Sequence, residues 1–413
     1  MSFLGSVGGV GRVSTALLRH KLIAVTGGTA AAVIVAGCAF AATSAHAAGQ
    51  ENLANTGDSK QLSKPAASTT PSAKAAPLRL LSVSPAGGTH AANGGAPVTL
   101  TFSSALAPAT PLPTLSPKIA GSWQVSGATA TFTPSSGYLP DTKVTLTIPA
   151  GMDGAAAGAG TLNQASRVTF TTGSYSTLGL QQILTQLGYL PFTWTPAASG
   201  TDGAATALVS LNQEVSTAYA PAAGTFTFKP GYPSQLTSQW KVGEDNMLDQ
   251  GAIRAFESNE GLTMDGVAGP DVWADLLTAA AKNQVNPNGY TYALASQDSP
   301  HESLKVWHNG KLILNTPANT GIPGANTADG TFPVYERLQF QIMKGTNPDG
   351  SKYADPVYWI SYFDGGDAVH YFDRPAYGYY QSLGCVELQW SPAKFIWPYL
   401  TYGTLVTVTG PVA

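Results

Sequence analysis

The chain has 413 residues, of which 43 % are hydrophobic and 11 % charged, with a formal net charge of −3 at pH 7. This length allows two to four domains, and the hydrophobic content is ordinary for packed globular domains. The small negative charge excludes a basic surface of the kind that binds nucleic acid.

The first 47 residues have the organisation of an export signal. Basic residues precede a long apolar stretch over 22–42, and these are Arg12, Arg19 and Lys21. The small-residue sequence Ala45-His46-Ala47 follows the stretch and is typical of a cleavage site. If left uncleaved, the apolar stretch is long enough to cross a bilayer.

The chain has two cysteines, Cys38 and Cys385. The sequence "VAGC", which ends at Cys38, resembles a bacterial lipobox, whose cysteine becomes lipidated; the alternative is a small residue within the signal core. Either fate removes Cys38 from disulfide formation. Cys385 is then unpaired in an oxidising compartment, where a leftover thiol suggests reactivity or intermolecular pairing. Residues 48–76 are polar and lack periodicity, which predicts a disordered linker.

Residues 77–173 contain short β-rich runs separated by Gly and Pro turns, such as "APVTLTFSS", "KVTLTIPA" and "SRVTFTTG". Alternation over 98–102 places apolar side chains on one face, so the segment is predicted to be a β-sandwich. The order of the runs resembles bacterial Ig-like domains that act as spacers in surface proteins. The segment has no cluster of chemistry-bearing side chains, and we interpret it as a spacer.

Residues 174–282 change to helical periodicity. The run "STLGLQQILTQLGYLP" has apolar residues at helical spacing, and a second helix is predicted to end near Gly261, with Pro270 early in the next one. These runs resemble the peptidoglycan-binding-like domain, which implies a small α-helical domain that binds the cell wall. The segment departs from that pattern in an insertion over 191–240. The alternative is a helical bundle that only packs against the next domain.

Residues 288–410 are predicted to be mainly β, with a hairpin turn at Asn309-Gly310 between "LKVWH" and "KLILN". Aromatic residues are dense over 353–380, as expected for either a substrate groove or a β core, and Tyr358 is our candidate there for substrate binding.

A cysteine nucleophile needs a neighbouring base, because an unperturbed thiol is mostly protonated at neutral pH. Outside the signal and the predicted sandwich, the histidines are His301, His308 and His370. His301 follows a Ser-Pro turn and His308 adjoins the hairpin turn. His370 lies within the apolar strand "DAVHYF" and is separated from Cys385 by a Tyr/Gly-rich loop.

Acidic residues recur at intervals of three around His370, at Asp364, Asp367 and Asp373. Residues three apart on an extended strand point to opposite faces, so these side chains are not expected to converge on one ion. The sequence has no recognisable zinc framework, and we predict no metal site.

The sequence "VHYFDRPAYGYYQSLGCVEL" resembles the active-site signature of L,D-transpeptidases: a histidine on a strand, a loop, then Ser/Thr-His-Gly-Cys. The upstream run "WHNGKLILNTPANTGIPGANTADGTFPV" and the closing "YGTLVTV" also resemble that family. The resemblance implies a mainly-β catalytic domain over 288–410. It assigns Cys385 as nucleophile and His370 as base, with the carbonyl of Tyr371 orienting the imidazole.

By the same resemblance, Ser382, Leu383 and Gly384 complete the tetrad, and the amides of Leu383, Gly384 and Cys385 form the oxyanion hole. Ser382 and Glu387 are further candidates for substrate binding. Two positions depart from the family. Leu383 replaces the tetrad histidine, and Glu387 replaces an Arg or Asn. We expect Glu387 to weaken the binding of a substrate carboxylate by like-charge repulsion.

The resemblance implies an exported, monomeric cell-wall enzyme that forms 3→3 cross-links between peptidoglycan stem peptides and needs no cofactor. It implies no nucleic-acid partner, and membrane contact only through the N-terminal signal or a lipid anchor. The alternative is a non-catalytic wall-binding protein whose transpeptidase domain has decayed. A third possibility is hydrolysis, in which water resolves the same acyl-enzyme.

Overall fold

A computed structural model describes residues 76–155, 159–197 and 210–410. The predicted export signal, the lipobox at Cys38 and all but the last residue of the predicted linker lie outside these ranges. Within the described ranges, no helix is both long and apolar enough to span a membrane.

The segment up to residue 173 is built from short strands. They are β1 (Ala76–Leu78), β2 (Leu80–Ser84), β3 (Val98–Phe102), β4 (Thr114–Ser116), β5 (Gly121–Ser126), β6 (Thr129–Pro134), β7 (Lys143–Ile148), β8 (Ala159–Leu162) and β9 (Ser166–Thr171). One sheet has the order β2-β3-β6-β5 and another the order β4-β7-β9, while β1 pairs with β8.

The alternation predicted for this segment is confirmed. In β3, Val98, Leu100 and Phe102 are buried, and the threonines between them are partly exposed. Side chains from both larger sheets share one apolar core, which includes Leu100, Leu146 and Ile148. Two antiparallel sheets that bury their apolar faces against each other make this segment a β-sandwich, as predicted.

The segment over 174–282 is mostly helical. It contains α1 (Thr177–Gln186), β10 (Phe192–Pro196), α2 (Leu211–Tyr219), β11 (Gly224–Phe228), α3 (Ser234–Thr237), α4 (Met247–Glu260) and α5 (Pro270–Ala281). Helix α4 ends where predicted, because Gly261 adopts a left-handed conformation with φ of 74°. Pro270 is the first residue of α5, also as predicted.

The insertion over 191–240 contains structure that the sequence did not predict. Strands β10 and β11 form an antiparallel hairpin within it, and α2 packs against α1 and α5. Aromatic side chains hold the hairpin: Phe192 lies 4.1 Å from Phe228 and 4.2 Å from Trp240 between ring centroids. The insertion is therefore part of the helical segment rather than a loop on its surface.

The C-terminal segment is mainly β. Its elements are β12 (Thr291–Ser296), β13 (Ser303–His308), β14 (Lys311–Pro317), β15 (Thr320–Gly321), β16 (Gly330–Pro333), β17 (Glu336–Thr346), β18 (Lys352–Asp364), β19 (Asp367–Tyr371), β20 (Tyr380–Ser382), β21 (Val386–Leu388), α6 (Trp390–Ile396) and β22 (Leu405–Thr409). The predicted turn at Asn309-Gly310 is confirmed: both residues have positive φ, and β13 pairs with β14 around them.

Two sheets of this segment enclose an apolar core. One has the order β14-β13-β12-β22-β16 and the other the order β17-β18-β19-β21, while β15 pairs with β20. Val306 and Val406 from the first sheet share the core with Val369 and Val386 from the second. The core therefore fixes the positions of β19, which contains His370, and of β21, which directly follows Cys385.

The helical segment shares a core with the five-stranded sheet. Leu248 and Phe256 of α4 belong to the same buried cluster as Tyr292, Trp307 and Leu405. Helix α4 also approaches the loop before β22 so closely that a side chain at Gly251 would collide with the carbonyl oxygen of Gly403. The helical segment therefore packs directly against the C-terminal segment.

Two carboxyl groups are buried in α4. Asp249 Oδ2 accepts hydrogen bonds from Gln181 Nε2 at 2.9 Å and from Asn246 Nδ2 at 2.8 Å. Glu257 Oε2 accepts one from the amide of Gly266 at 2.9 Å. Burial raises the pKa of Asp249 and that of Glu257 to about 7, because charged carboxylates lose their hydration there.

These raised pKa values predict a stability that falls as the pH rises. The folded state holds protons that the unfolded state releases near pH 4, so the stabilisation is complete below that pH and is lost as the pH rises through about 7. We expect Asp249→Asn to remove about half of the decrease in Tm between pH 5 and pH 8. Differential scanning calorimetry of the full chain measures this. Asp275→Asn, on the partly exposed side of α5, is the control and should keep the full decrease.

Candidate active site

His370 lies on β19, and Cys385 lies directly before β21, the strand that pairs with β19 in parallel. Val369 is paired with Val386 and His370 with Glu387, and Cys385 immediately precedes β21. Because side chains alternate along a strand, Cys385, Glu387 and His370 face the same side of the sheet. All three line one cleft of about 550 Å³. The fold therefore brings the predicted nucleophile and the predicted base together.

Cys385 is protonated in the resting protein. Its Sγ donates to the carbonyl oxygen of Gly366 at 3.8 Å, and the amide of Ala368 donates to the sulfur. Burial, and then the charges of Asp367 and Glu387, raise the pKa of Cys385 to about 12, although the Ala368 amide opposes the shift. The predicted nucleophilic role of Cys385 would therefore require a base to take the thiol proton.

His370 is placed to be that base. Its side chain is 3 % exposed, and Nδ1 lies 2.9 Å from the carbonyl oxygen of Tyr371. Since a carbonyl oxygen only accepts, Nδ1 carries the proton and Nε2 has a free lone pair. Burial lowers the pKa of His370, while the Tyr371 carbonyl and Glu387 partly oppose that shift. The imidazole is therefore neutral at pH 7 and able to accept a proton.

The other candidate bases lie elsewhere. His301 is exposed just before β13, and His308 Nδ1 lies 3.0 Å from Thr291 Oγ1 at the end of that strand. Neither contributes to the cleft that contains Cys385.

The turn before Cys385 is stabilised by Ser382. The Ser382 hydroxyl donates to the carbonyl oxygen of Cys385 at 2.6 Å and accepts from the amide of Gly384 at 3.2 Å. The Gly384 amide is thus already engaged, which leaves Leu383 and Cys385 as the remaining donors of the predicted oxyanion hole. Ser382 is buried and does not line the cleft, whereas the side chain of Leu383 does.

Glu387 is neutralised by a residue that the sequence reasoning missed. Arg374 Nη2 lies 2.7 Å from Glu387 Oε1, and Nε lies 2.8 Å from Oε2, so the pair is bidentate. The exposed fractions of the two side chains are 28 % for Arg374 and 5 % for Glu387. Glu387 therefore does not present the uncompensated negative charge that we expected. Arg374 lies in the quoted signature, but only the structure brings it to Glu387.

Asn319 connects β21 to the loop between His370 and Cys385. Its amide donates to the carbonyl oxygen of Glu387 at 3.0 Å, and its Oδ1 accepts from the amide of Gly378 at 3.0 Å. Gly378 belongs to the Tyr/Gly-rich loop between His370 and Cys385. Arg374 Nη2 also donates to the carbonyl oxygen of Gln381 in this loop, at 2.8 Å. The loop is thus fastened to β21 at two points, through Arg374 and through Asn319, beside the predicted catalytic residues.

Tyr358 is not brought to the cleft. It is paired with Tyr371, which follows His370 and so faces the opposite side of the sheet. Its ring lies 4.8 Å from that of Phe340 and 5.4 Å from that of Trp390. The structure places Tyr358 in an aromatic cluster on the face of the sheet opposite to His370.

Asp367 lines the cleft together with His370, although simple alternation predicted opposite faces. Asp367 is the first residue after the Gly365-Gly366 turn, where the pairing of β18 and β19 is irregular. Its carboxylate lies against Gly384, at which any Cβ would collide with Asp367 Oδ1. Among the described residues, no group of three or more His, Cys, Asp or Glu side chains is arranged to hold a metal ion.

Two families match parts of the chain. Residues 74–172 match the Bacterial Ig-like domain, and residues 291–408 match the L,D-transpeptidase catalytic domain. Neither match covers the helical segment, so its peptidoglycan-binding role stays a prediction. No curated protein matches the chain.

Solved structures of L,D-transpeptidases are also similar to this chain. The enzyme from Mycobacterium smegmatis is 14 % identical, with 81 % of this chain and 100 % of that chain covered and a TM-score of 0.26. The catalytic domain from E. faecium is 29 % identical over 29 % of this chain and 96 % of that chain, with a TM-score of 0.27. L,D-transpeptidase 3 from Mycobacterium tuberculosis, with a faropenem-derived adduct, is 14 % identical over 80 % and 97 %, with a TM-score of 0.25.

The Arg374–Glu387 pair predicts a strong coupling in stability. Arg374→Gln should destabilise the protein by about 3 kcal/mol, because it leaves a buried carboxylate without its partner. The double variant Arg374→Gln/Glu387→Gln should recover most of that loss. Urea unfolding of the single and double variants measures the coupling. Additive effects in the double-mutant cycle would contradict it.

Proposed function

We propose that the C-terminal domain is a cysteine-dependent L,D-transpeptidase that forms 3→3 cross-links in peptidoglycan. One observation carries the proposal. His370 on β19 and Cys385 directly before the parallel strand β21 line one cleft, and the Tyr371 carbonyl leaves His370 Nε2 as the free base. The match of residues 291–408 to the L,D-transpeptidase catalytic domain supports it.

Acylation begins with two neutral groups. His370 Nε2 takes the thiol proton as Cys385 Sγ attacks the carbonyl carbon of the third residue of a tetrapeptide stem. The tetrahedral oxyanion is stabilised by the amides of Leu383 and Cys385, whose donors do not depend on the side chain at 383. His370 then gives its proton to the leaving D-alanine amine, and a thioester remains on Cys385.

The thioester is resolved by the side-chain amine of a second stem. A C–N bond forms and the C–S bond breaks, and the amine proton returns through His370 to the sulfur. The same thioester yields a tripeptide product when water attacks instead. The retained His370 and Cys385 favour an enzyme over a decayed domain, and the leucine at position 383 leaves both the base and the oxyanion donors in place.

The remaining domains fit a protein of the cell envelope. Ig-like and L,D-transpeptidase catalytic domains together suggest that location. The sandwich acts as a spacer, the helical segment contacts the wall, and the chain is exported and works as a monomer on peptidoglycan stem peptides.

A penem that opens on the active-site cysteine tests the nucleophile. Faropenem should add one acyl group to the wild-type chain, visible as a single mass increase in intact-protein mass spectrometry. Cys385→Ala should form no adduct while its thermal transition stays almost unchanged, because losing one sulfur is a small packing change. Disaccharide-tetrapeptide should give cross-linked dimer with the wild type alone. A wild-type protein that forms neither adduct nor dimer would support the decayed, non-catalytic alternative.

The pH profile tests the base. The wild-type acylation rate should rise as His370 loses its proton below pH 6.5 and then stay level through neutral pH, because general-base attack does not need a free thiolate. His370→Gln should be roughly 10²–10⁴-fold slower at pH 7. Its rate should climb steadily with pH, since the pKa of Cys385 is about 12. His308→Gln is the control, and an unchanged profile in His370→Gln would contradict the assignment.

A further inference from the structure

One carboxylate in the cleft has no part in the acylation step. Asp367 is positioned by close packing, because its oxygens lie over the Cα of Gly384, directly before the nucleophile. Gly384 has a φ of 119°, so neither its backbone conformation nor the available space admits another residue. The site therefore keeps a carboxylate and a glycine in contact beside Cys385.

This carboxylate opposes thiolate formation. Burial, and then the charge of Asp364, raise the pKa of Asp367 to about 6, so it is mostly ionised above pH 7. Its charge is one of the causes that raise the pKa of Cys385. Because Asp367 hinders the first half-reaction, its position beside Cys385 calls for a role in a later step.

Asp367 also has no cationic partner among the described residues. The ion pair of the cleft joins Arg374 to Glu387, and Asp355 adds a further carboxylate to the lining. With His370 neutral, the cleft around Cys385 carries net negative charge. It is thus suited to a cationic group that arrives with a substrate.

The second half-reaction supplies such a group. The acyl acceptor is an aliphatic amine, which is an ammonium ion in solution at neutral pH. Its nitrogen has to reach the carbonyl carbon held on Cys385 Sγ, next to the Asp367 carboxylate. Water, the competing nucleophile, carries no charge and gains only an ordinary hydrogen bond from that carboxylate, which is weaker than the charge-assisted contact of an ammonium ion.

We propose that Asp367 is a positioning residue that binds the ammonium group of the acyl acceptor beside the thioester and so favours transpeptidation over hydrolysis. The inference rests on the proposed cysteine acyltransfer. The bound ammonium releases one proton to solvent and attacks as the free amine. The C–N bond forms as the C–S bond breaks, and the second amine proton passes through His370 to the sulfur. Asp367 stays ionised throughout.

The experiment separates the two half-reactions in the full-length chain. Faropenem acylation reports the first, and the ratio of cross-linked dimer to tripeptide, formed from disaccharide-tetrapeptide, reports the second. Asp367→Asn should speed acylation by a few-fold, because removing the charge lowers the pKa of the thiol. It should lower the dimer-to-tripeptide ratio about tenfold, as expected for losing a charge-assisted contact. Asp373→Asn, an exposed carboxylate just after β19 and outside the cleft lining, is the matched control and should leave both readouts unchanged.

Two further measurements make the outcome decisive. Hydroxylamine, which is largely uncharged at pH 7, should resolve the acyl-enzyme equally well in the wild type and in Asp367→Asn. Asp367→Glu, which keeps the charge, should recover part of the dimer yield. An unchanged product ratio in Asp367→Asn would overturn the inference. So would a loss of acylation that Asp367→Glu does not restore, since that indicates a structural role. A wild type that is not acylated would instead refute the proposed function itself.

Discussion

The parallel pairing of β19 with β21 is the constraint on which the site depends. It sets His370 beside Glu387 and places Cys385 two residues earlier on the same face. Because side chains alternate, a slip of one residue would turn Cys385 away from the cleft and move Val386 out of the core. The apolar core on the inner face of this pair therefore fixes the register of the two strands. The register in turn places Cys385 and His370 in one cleft.

The electrostatics of the cleft follow from the same pairing. Glu387 has to lie beside His370, and this would be unfavourable for a buried carboxylate without a partner. Arg374 supplies that partner from the loop between the two strands and at the same time anchors the loop. The charge of Glu387 is thus balanced by a cation from the loop that precedes β20.

The sequence predicted the local features well and the distant contacts poorly. Turn and cap residues act on their own neighbours, so the hairpin at Asn309-Gly310 and the helix end at Gly261 could be read directly. Cys385 and His370 could be proposed as a catalytic pair because their residue types and spacing form a signature. Arg374 could not be assigned a role, since its contacts with Glu387 arise only when two strands meet. Tyr358 was proposed from the local density of aromatic residues, which does not indicate the face of the sheet that a side chain occupies.

The core shared by α4 and the five-stranded sheet has a consequence for how the protein meets its substrate. A binding domain on a flexible linker presents its partner over a broad range of distances, and its effective concentration depends on linker length. Here Phe256 packs into the same cluster as Trp307 and Leu405, and Gly251 lies against Gly403, so no such freedom exists between the helical segment and the sheet. Any polymer held by the helical segment would thus be presented to the cleft at one fixed spacing and direction. The site of reaction along a polymer strand would then be selected by geometry rather than by diffusion on a tether.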